Sequence, residues 1–407
     1  MPMVFVHGVG NRGGAAYRRR SAYQELLARL FLLPAVSDDP SGTPVAAPLW
    51  GDQAARARWQ HASVPGRAVE SLGGAGPDLD QDVVAAALEA VRWGRSGPDT
   101  VLLDLAAHRL EDAVDLLFAA LPAASVDLGT LTRAAHEAVP VLAYLRAREG
   151  LYPDGSSQER HPWLAGLRDD RAFVTRLLQA SEGWAFRADG TPFETREAPR
   201  PEVLGTRGLP HAVGWLRRQA VSAAQQPLSS RLIPALSDTV TACLGDILVY
   251  LKERGTVAEP GPIVRTVGSA LAEAAEHRSD SDPLVVVAHS MGGNITYDIL
   301  THFRPDLPVD ILVTVGSQVG YFEELKLFHA SDEKVPNAQQ PKVAPPATVG
   351  RWINVVDLND PLAFSAAPVF AGAEDYRIPT GALWAHSGYL NEPGFYERVA
   401  RRLRPPR

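Results

Sequence analysis

The apolar run Leu284-Val285-Val286-Val287 leads at once into Ala288-His289-Ser290-Met291-Gly292-Gly293, and this junction constrains the fold more than any other stretch. An unbroken apolar run of this length, ending in a turn, reads as a strand buried on both faces, which is the habit of parallel sheets. A serine held among small residues, with a helical pattern behind it, has the layout of a nucleophile elbow. In so sharp a turn the residues two before and two after the serine must be small, because larger side chains would collide. Ala288 and Gly292 fill those positions. The turn points the hydroxyl out of the sheet and aims the next backbone N–H at a developing oxyanion. The competing reading is an ordinary strand–turn–helix junction with an incidental serine, so the serine has to be judged by its partners.

Ala288 to Gly293 resembles the α/β-hydrolase superfamily, in particular its bacterial lipases with alanine at the first elbow position. The resemblance implies a nucleophile, an Asp or Glu and a His in that chain order, on loops after successive strands. Downstream, Val309 to Val315 reads as a strand ending at Gly316-Ser317, and Trp352 to Val356 as another, ending in Asp357-Leu358-Asn359-Asp360-Pro361. Two carboxylates compete for the acid role. The loop resembles the acid loop of the lipase branch, in which the later aspartate orients the histidine, and this favours Asp360 over Asp357. The loser is expected to close an Asx-turn or cap a helix. Asp306 and Asp310 precede their strand and would face the wrong end of a parallel sheet. Of eleven histidines, only His386 follows both Ser290 and Asp360.

Met3-Val4-Phe5-Val6 reads as a short strand, followed by His7-Gly8-Val9-Gly10. In the superfamily, His-Gly after an early strand supplies the second oxyanion donor. Carried over, the donors are the amides of Val9 and Met291, with His7, Gly8 and His289 lining the substrate. Gly8, Gly10 and Gly13 also match a dinucleotide-binding fingerprint. That reading requires a second strand ending in an acid about twenty residues on. Here Asp38 stands between Pro34 and Pro40 with no strand before it.

Composition narrows the remaining classes. A net charge of −7 argues against a nucleic-acid footprint. Cys243 is the only cysteine, which excludes an intrachain disulfide and a cysteine-based metal site. No apolar run is long enough to span a bilayer, the best stretch, Val101 to Leu121, carrying five charges. With a strand expected from Met3, no signal peptide is read, and a cytoplasmic location is expected. No metal or organic cofactor is called for.

The oxyanion strand opens the chain, another strand is expected at Pro44 to Trp50, and the nucleophile strand waits until Leu284. Short βα connections are the norm, so a large insertion separates them. The expected division is a catalytic core of residues 1–50 and 255–407 and a helical insertion, lid or cap, of residues 51–254. Helices are expected at Tyr17 to Leu33, Asp82 to Trp93, Thr100 to Leu121, Leu128 to Arg148 with a bend at Pro140, Trp163 to Gln179, His211 to Gln225, Ser230 to Arg254 and Pro262 to His277. The core is expected to be an α/β-hydrolase fold with a mostly parallel sheet of about six strands and helices on both faces.

The function expected from the resemblance is a serine hydrolase cleaving carboxylic esters, small-molecule or lipid-like, through Ser290, His386 and Asp360. The same triad would also serve an amidase, a thioesterase or an acyltransferase. A reading from another class is a catalytically silent scaffold that meets a partner through the helical insertion.

Overall fold

Among the described residues eight strands form, in chain order β1 (Met3–Val6), β2 (Val45–Ala46), β3 (Trp184–Phe186), β4 (Pro192–Glu194), β5 (Val285–His289), β6 (Val309–Val315), β7 (Val349–Val356) and β8 (Ala373–Arg377). Six of them make one sheet in the order β2-β1-β5-β6-β7-β8, every neighbouring pair parallel. The molecule is thus an α/β protein. The structure, a computed structural model, describes residues 2–59, 97–124, 127–195, 208–225, 241, 243–279, 282–378, 386 and 388–404. The helix expected at Asp82 to Trp93 falls outside these residues, as does most of the amino-terminal half of the one expected at Ser230 to Arg254.

The chain divides into two compact units, Met1–Gly14, Gly42–Val84 and Leu232–Pro379 forming the first, and Ala15–Ser41, Ala85–Arg231 and Thr380–Arg407 the second. This partition differs from the expected one at both termini. The helices Ala15–Leu27 and Pro393–Leu403 pack on the helix Leu128–Leu151 of the second unit, and the helical residues 243–253 go with the sheet.

In the first unit the sheet is held by its central strand. Val285, Val286, Val287 and Ala288 are all fully buried, and since successive side chains point to opposite faces, both faces of β5 are covered. Burying each such valine stabilises the fold by about 1.5–2 kcal/mol. The helix Pro262–Glu276 opens with Pro at its first position, which needs no N–H there, and lays Val264, Val267 and Leu271 toward the core near β1. At the amino edge of the sheet, Asp310 accepts both arms of the Arg278 fork at 2.6 and 2.7 Å and the Leu284 N–H at 2.7 Å. Asp310 therefore has a structural task at the end of the sheet away from the elbow.

In the second unit, the stretch expected as one helix from Thr100 to Leu121 is two, Val101–His108 and Leu110–Ala119, with Arg109 extended at φ −154° and ψ 113° between them. The apolar stripe survives the break: Leu102, Leu105, Ala106, Leu110, Ala113, Leu117 and Phe118 are buried among the unit's own helices. Asp170 accepts the Leu102 and Leu103 N–H groups at 3.0 Å each, satisfying orphan donors of the first helix. The helix Leu128–Leu151 contains Pro140 and continues through it, and the expected Trp163 to Gln179 helix starts later, at Asp170. β3 and β4 form a hairpin that the sequence reading passed over.

His161 is buried, with Nδ1 3.0 Å from the Tyr144 hydroxyl, and burial, then Arg148 and Arg160, push its pKa down to about 4. A histidine with a depressed folded pKa stabilises the native state above its unfolded value near 6.5, and loses that contribution as pH falls toward 4. We expect wild type to lose about 3 kcal/mol relative to His161→Gln between pH 6.5 and 4. Unfolding titrations of the two proteins at each pH measure this difference, and a pH-independent difference would contradict it.

Candidate active site

β5 ends at His289 and the helix Met291–Asp298 begins two residues later, so Ser290 alone makes the turn. Its backbone stands at φ 53° and ψ −127°. Among the described residues only Lys326 is another non-glycine with positive φ. Such a conformation costs of order 1–3 kcal/mol and persists only where surrounding structure imposes it. Two backbone bonds do so here. The Ser290 N–H donates to Val315 O at 2.8 Å, extending the β5–β6 pairing by one residue, and Gly293 N–H donates to Ser290 O at 2.9 Å.

The small neighbours are explained by close approach. A Cβ on Gly292 would lie 2.3 Å from Val6 O and 2.7 Å from His7 O, against the carboxyl end of β1. A Cβ on Gly293 would lie 2.3 Å from Ser317 Oγ. Because Val6 pairs with Ala288, Gly8 falls beside Ser290, and a Cβ there would meet Ser290 Cβ at 2.8 Å and His289 Nδ1 at 3.0 Å. The loop after β1 and the elbow thus touch, with Val9 and Met291 each one residue from that contact. We expect Gly8→Ala to pry this contact open and lower any turnover at Ser290 by about a hundredfold, with little change in KM. Steady-state kinetics check this, and an unchanged kcat would contradict it.

The loop after β1 is held from several sides. Trp50 stacks on His7 with ring centroids 4.9 Å apart and planes 9° apart. Its backbone N–H donates to His7 Nε2 at 3.3 Å, while its indole Nε1–H donates to His7 O at 2.8 Å. His7 Nδ1 lies 2.8 Å from Gly8 O, so both ring nitrogens are engaged by the protein. His289 is buried, with its ring beside Gly8. The glycines of the fingerprint are also engaged: Gly10 N–H donates to Asp246 Oδ2 at 2.9 Å and Gly13 N–H to Asp52 Oδ1 at 2.8 Å. A dinucleotide site needs its loop amides for pyrophosphate, whereas these two amides already serve carboxylates, which would repel a phosphate.

On the other side of the elbow, β6 and β7 bring the acid loop alongside. Asp357 and Asp360 are both buried directly after β7. Each closes an Asx-turn, Asp357 Oδ1 accepting Asn359 N–H and Asp360 Oδ1 accepting Leu362 N–H, both at 2.8 Å. The turn was expected of one aspartate only. Gln318 fastens this loop to the end of β6, its Nε2 donating to Gly316 O at 2.9 Å and Leu362 O at 2.7 Å. Phe364 N–H donates to Ser317 O at 3.0 Å.

The first unit thus brings Ser290, Met291, Val9, His7, Gly8, His289, Asp357 and Asp360 to the carboxyl edge of one sheet. His386 is buried and belongs to the second unit. Sequence reasoning missed Asp246, Trp50, Ser317 and Gln318. Gln318 had a signal, since it follows a strand's carboxyl end, where such sheets place functional loops. Asp246 had a subtler one: it shares the buried helical face of Tyr250, and an acid on an apolar stripe is an informative exception. Cys243, on the same helical stretch, is pushed up to about 11 by burial and then by the Asp246 charge, so it is a neutral thiol at pH 7.

Among the described residues, no group of three or more His, Cys, Asp or Glu is placed to hold a metal ion. No helix among them is long and apolar enough to cross a membrane. Comparison of the chain with protein-family models, with curated proteins and with solved structures gave no match in any of the three.

Proposed function

We propose that this chain is a serine hydrolase of the α/β-hydrolase type that cleaves carboxylic esters at Ser290. The observation that carries the reading is the strained backbone of Ser290, φ 53°, at a strand–helix junction followed by Gly292 and Gly293, where a Cβ would collide with Val6 O at the end of β1 and with Ser317 Oγ just after β6. A costly conformation at a hydroxyl-bearing residue is where functional geometry is stored. Topology supports it. From β1 the sheet runs one way to β2 and the other way to β5, β6 and β7, so the carboxyl ends of β1 and β5, where the β1 loop meets the elbow, form a topological switch point, where such sheets bind ligands.

In the proposed reaction Ser290 Oγ attacks the ester carbonyl carbon as its proton passes to a base. Chain order assigns that base to His386, and Asp360 orients the imidazole and stabilises its charged form. The amides of Val9 and Met291 receive the oxyanion, the latter at a helix amino terminus, where the dipole favours negative charge. Collapse of the tetrahedral intermediate breaks the C–O bond, and the imidazolium proton goes to the departing alcohol. Water then hydrolyses the acyl-serine by the same steps.

A series of p-nitrophenyl esters from acetate upward tests the reading. A burst of one nitrophenolate per chain, followed by slower turnover, is the expected mark of an acyl-enzyme. His386→Gln is expected to abolish the burst. Hydrolysis no faster in wild type than in Ser290→Ala would overturn the proposal.

A further inference from the structure

We propose that Asp246 is a positioning residue that holds the β1 loop, and with it the Val9 amide, in register with Ser290; the proposal rests on the Ser290 reading above. Asp246 is completely buried. Its Oδ2 accepts Gly10 N–H at 2.9 Å and Arg12 Nη1–H at 3.1 Å. Its Oδ1 accepts Arg12 Nη2–H at 2.7 Å and Ala55 N–H at 3.0 Å. Four donors from two separate chain segments thus converge on one carboxylate, and Gly245, where a Cβ would lie 2.9 Å from Ala55 Cβ, permits that approach.

The consequence for the loop is geometric. Val9 is strung between two fixed points, the Gly8 contact with Ser290 and the Gly10 bond to Asp246. Asn11 Nδ2 donates to Gly8 O at 3.0 Å and to Val9 O at 3.3 Å, turning both carbonyls toward Asn11. In a trans peptide the N–H points opposite to the C=O it shares a plane with. The Gly10 N–H is therefore directed away from Asn11, to Asp246, and the Val9 N–H is directed away from Asn11 as well. The Asp246 bond fixes the second of these two planes and so limits the rotation of the first. A donor aimed in advance at the site of developing charge is what makes an oxyanion hole effective. No group on Asp246 touches substrate; it acts through Gly10.

Asp246→Asn tests this at constant shape. Each carboxylate oxygen faces one backbone N–H and one guanidinium N–H, so either orientation of the amide sets its NH2 against two donors. With wild type and variant purified as the full chain, kcat for p-nitrophenyl acetate is expected to fall about a hundredfold, with KM within about threefold. Affinity for an aryl boronic acid, whose tetrahedral serine adduct mimics the oxyanion, should fall by the same factor as kcat, and Gly10 amide exchange should quicken at least about tenfold. If Asp246→Asn does not fold, Asp246→Glu, which keeps the charge and adds one methylene, should show the same loss in kcat. Wild-type turnover and boronate affinity retained by a folded Asp246 variant would overturn this proposal alone. A wild type that neither hydrolyses the ester nor binds the boronate would overturn it together with the Ser290 reading.

Discussion

Replacing Ser290 by alanine is expected to lower ester hydrolysis on the order of a millionfold, the loss seen when a triad nucleophile is removed. The residual rate is then that of binding and oxyanion donors acting on water. The protein should stay folded, because the strain at this position lies in the backbone and its imposed hydrogen bonds, which alanine retains. Ser290→Gly offers an internal control. Glycine adopts φ near 53° without a Cβ penalty, so it should be more stable than Ser290→Ala by about 1 kcal/mol, while being equally inactive. Denaturant unfolding beside initial-rate kinetics reads both. A Ser290→Gly protein no more stable than Ser290→Ala would mean that the elbow is not strained.

The second large effect is expected in the acid loop. Asparagine at either position 357 or 360 keeps the side-chain acceptor that closes its Asx-turn, so both variants should preserve the loop. Only the aspartate whose remaining oxygen orients the catalytic imidazole should then matter. Asp360→Asn is expected to cut kcat by about ten thousandfold, as when the wrong histidine tautomer is imposed, and Asp357→Asn by less than about tenfold. Kinetics of the two variants decide the ranking. The reverse order would transfer the acid role to Asp357, and mild effects from both would remove this loop from the mechanism.

How far the fold could be read from the chain depended on what each element buries. β1, β5 and β6 were legible because both their faces are covered, so burial wrote them as apolar runs, and β7 was legible over its carboxyl-terminal half for the same reason. β8, Ala-Glu-Asp-Tyr-Arg at the sheet edge, carries charges that an edge tolerates and was invisible to that logic. Only two residues of the strand expected at Pro44 to Trp50 pair as β2. The break at Arg109 escaped because Ala106 and Leu110 are four apart and keep the helical phase. Its overlooked sign was Glu111 and Asp112, acids that suit the first turn of a new helix. The β3–β4 hairpin had a plain signal in Asp189-Gly190, with Gly190 at φ 78°.

The site was legible where steric need selects residue type, at Gly8, Ala288, Ser290 and Gly292. It was illegible where distant segments converge. Asp246 reaches Gly10 across 236 residues of chain, and Trp50 clamps His7 across 43. No local pattern records such a pairing. The acid stayed ambiguous for a related reason: Asp357 and Asp360 occupy the same kind of turn three residues apart.

Ser290 is tested by treating the native protein with a fluorophosphonate and mapping the adduct by peptide mass spectrometry. An activated serine displaces fluoride from phosphorus, and unactivated hydroxyls do not react at comparable rates. One phosphonyl group per chain is expected, carried on the peptide containing Ser290, and none after heat denaturation or in Ser290→Ala. An unlabelled native protein, or label on any other residue, would rule out Ser290 as the nucleophile.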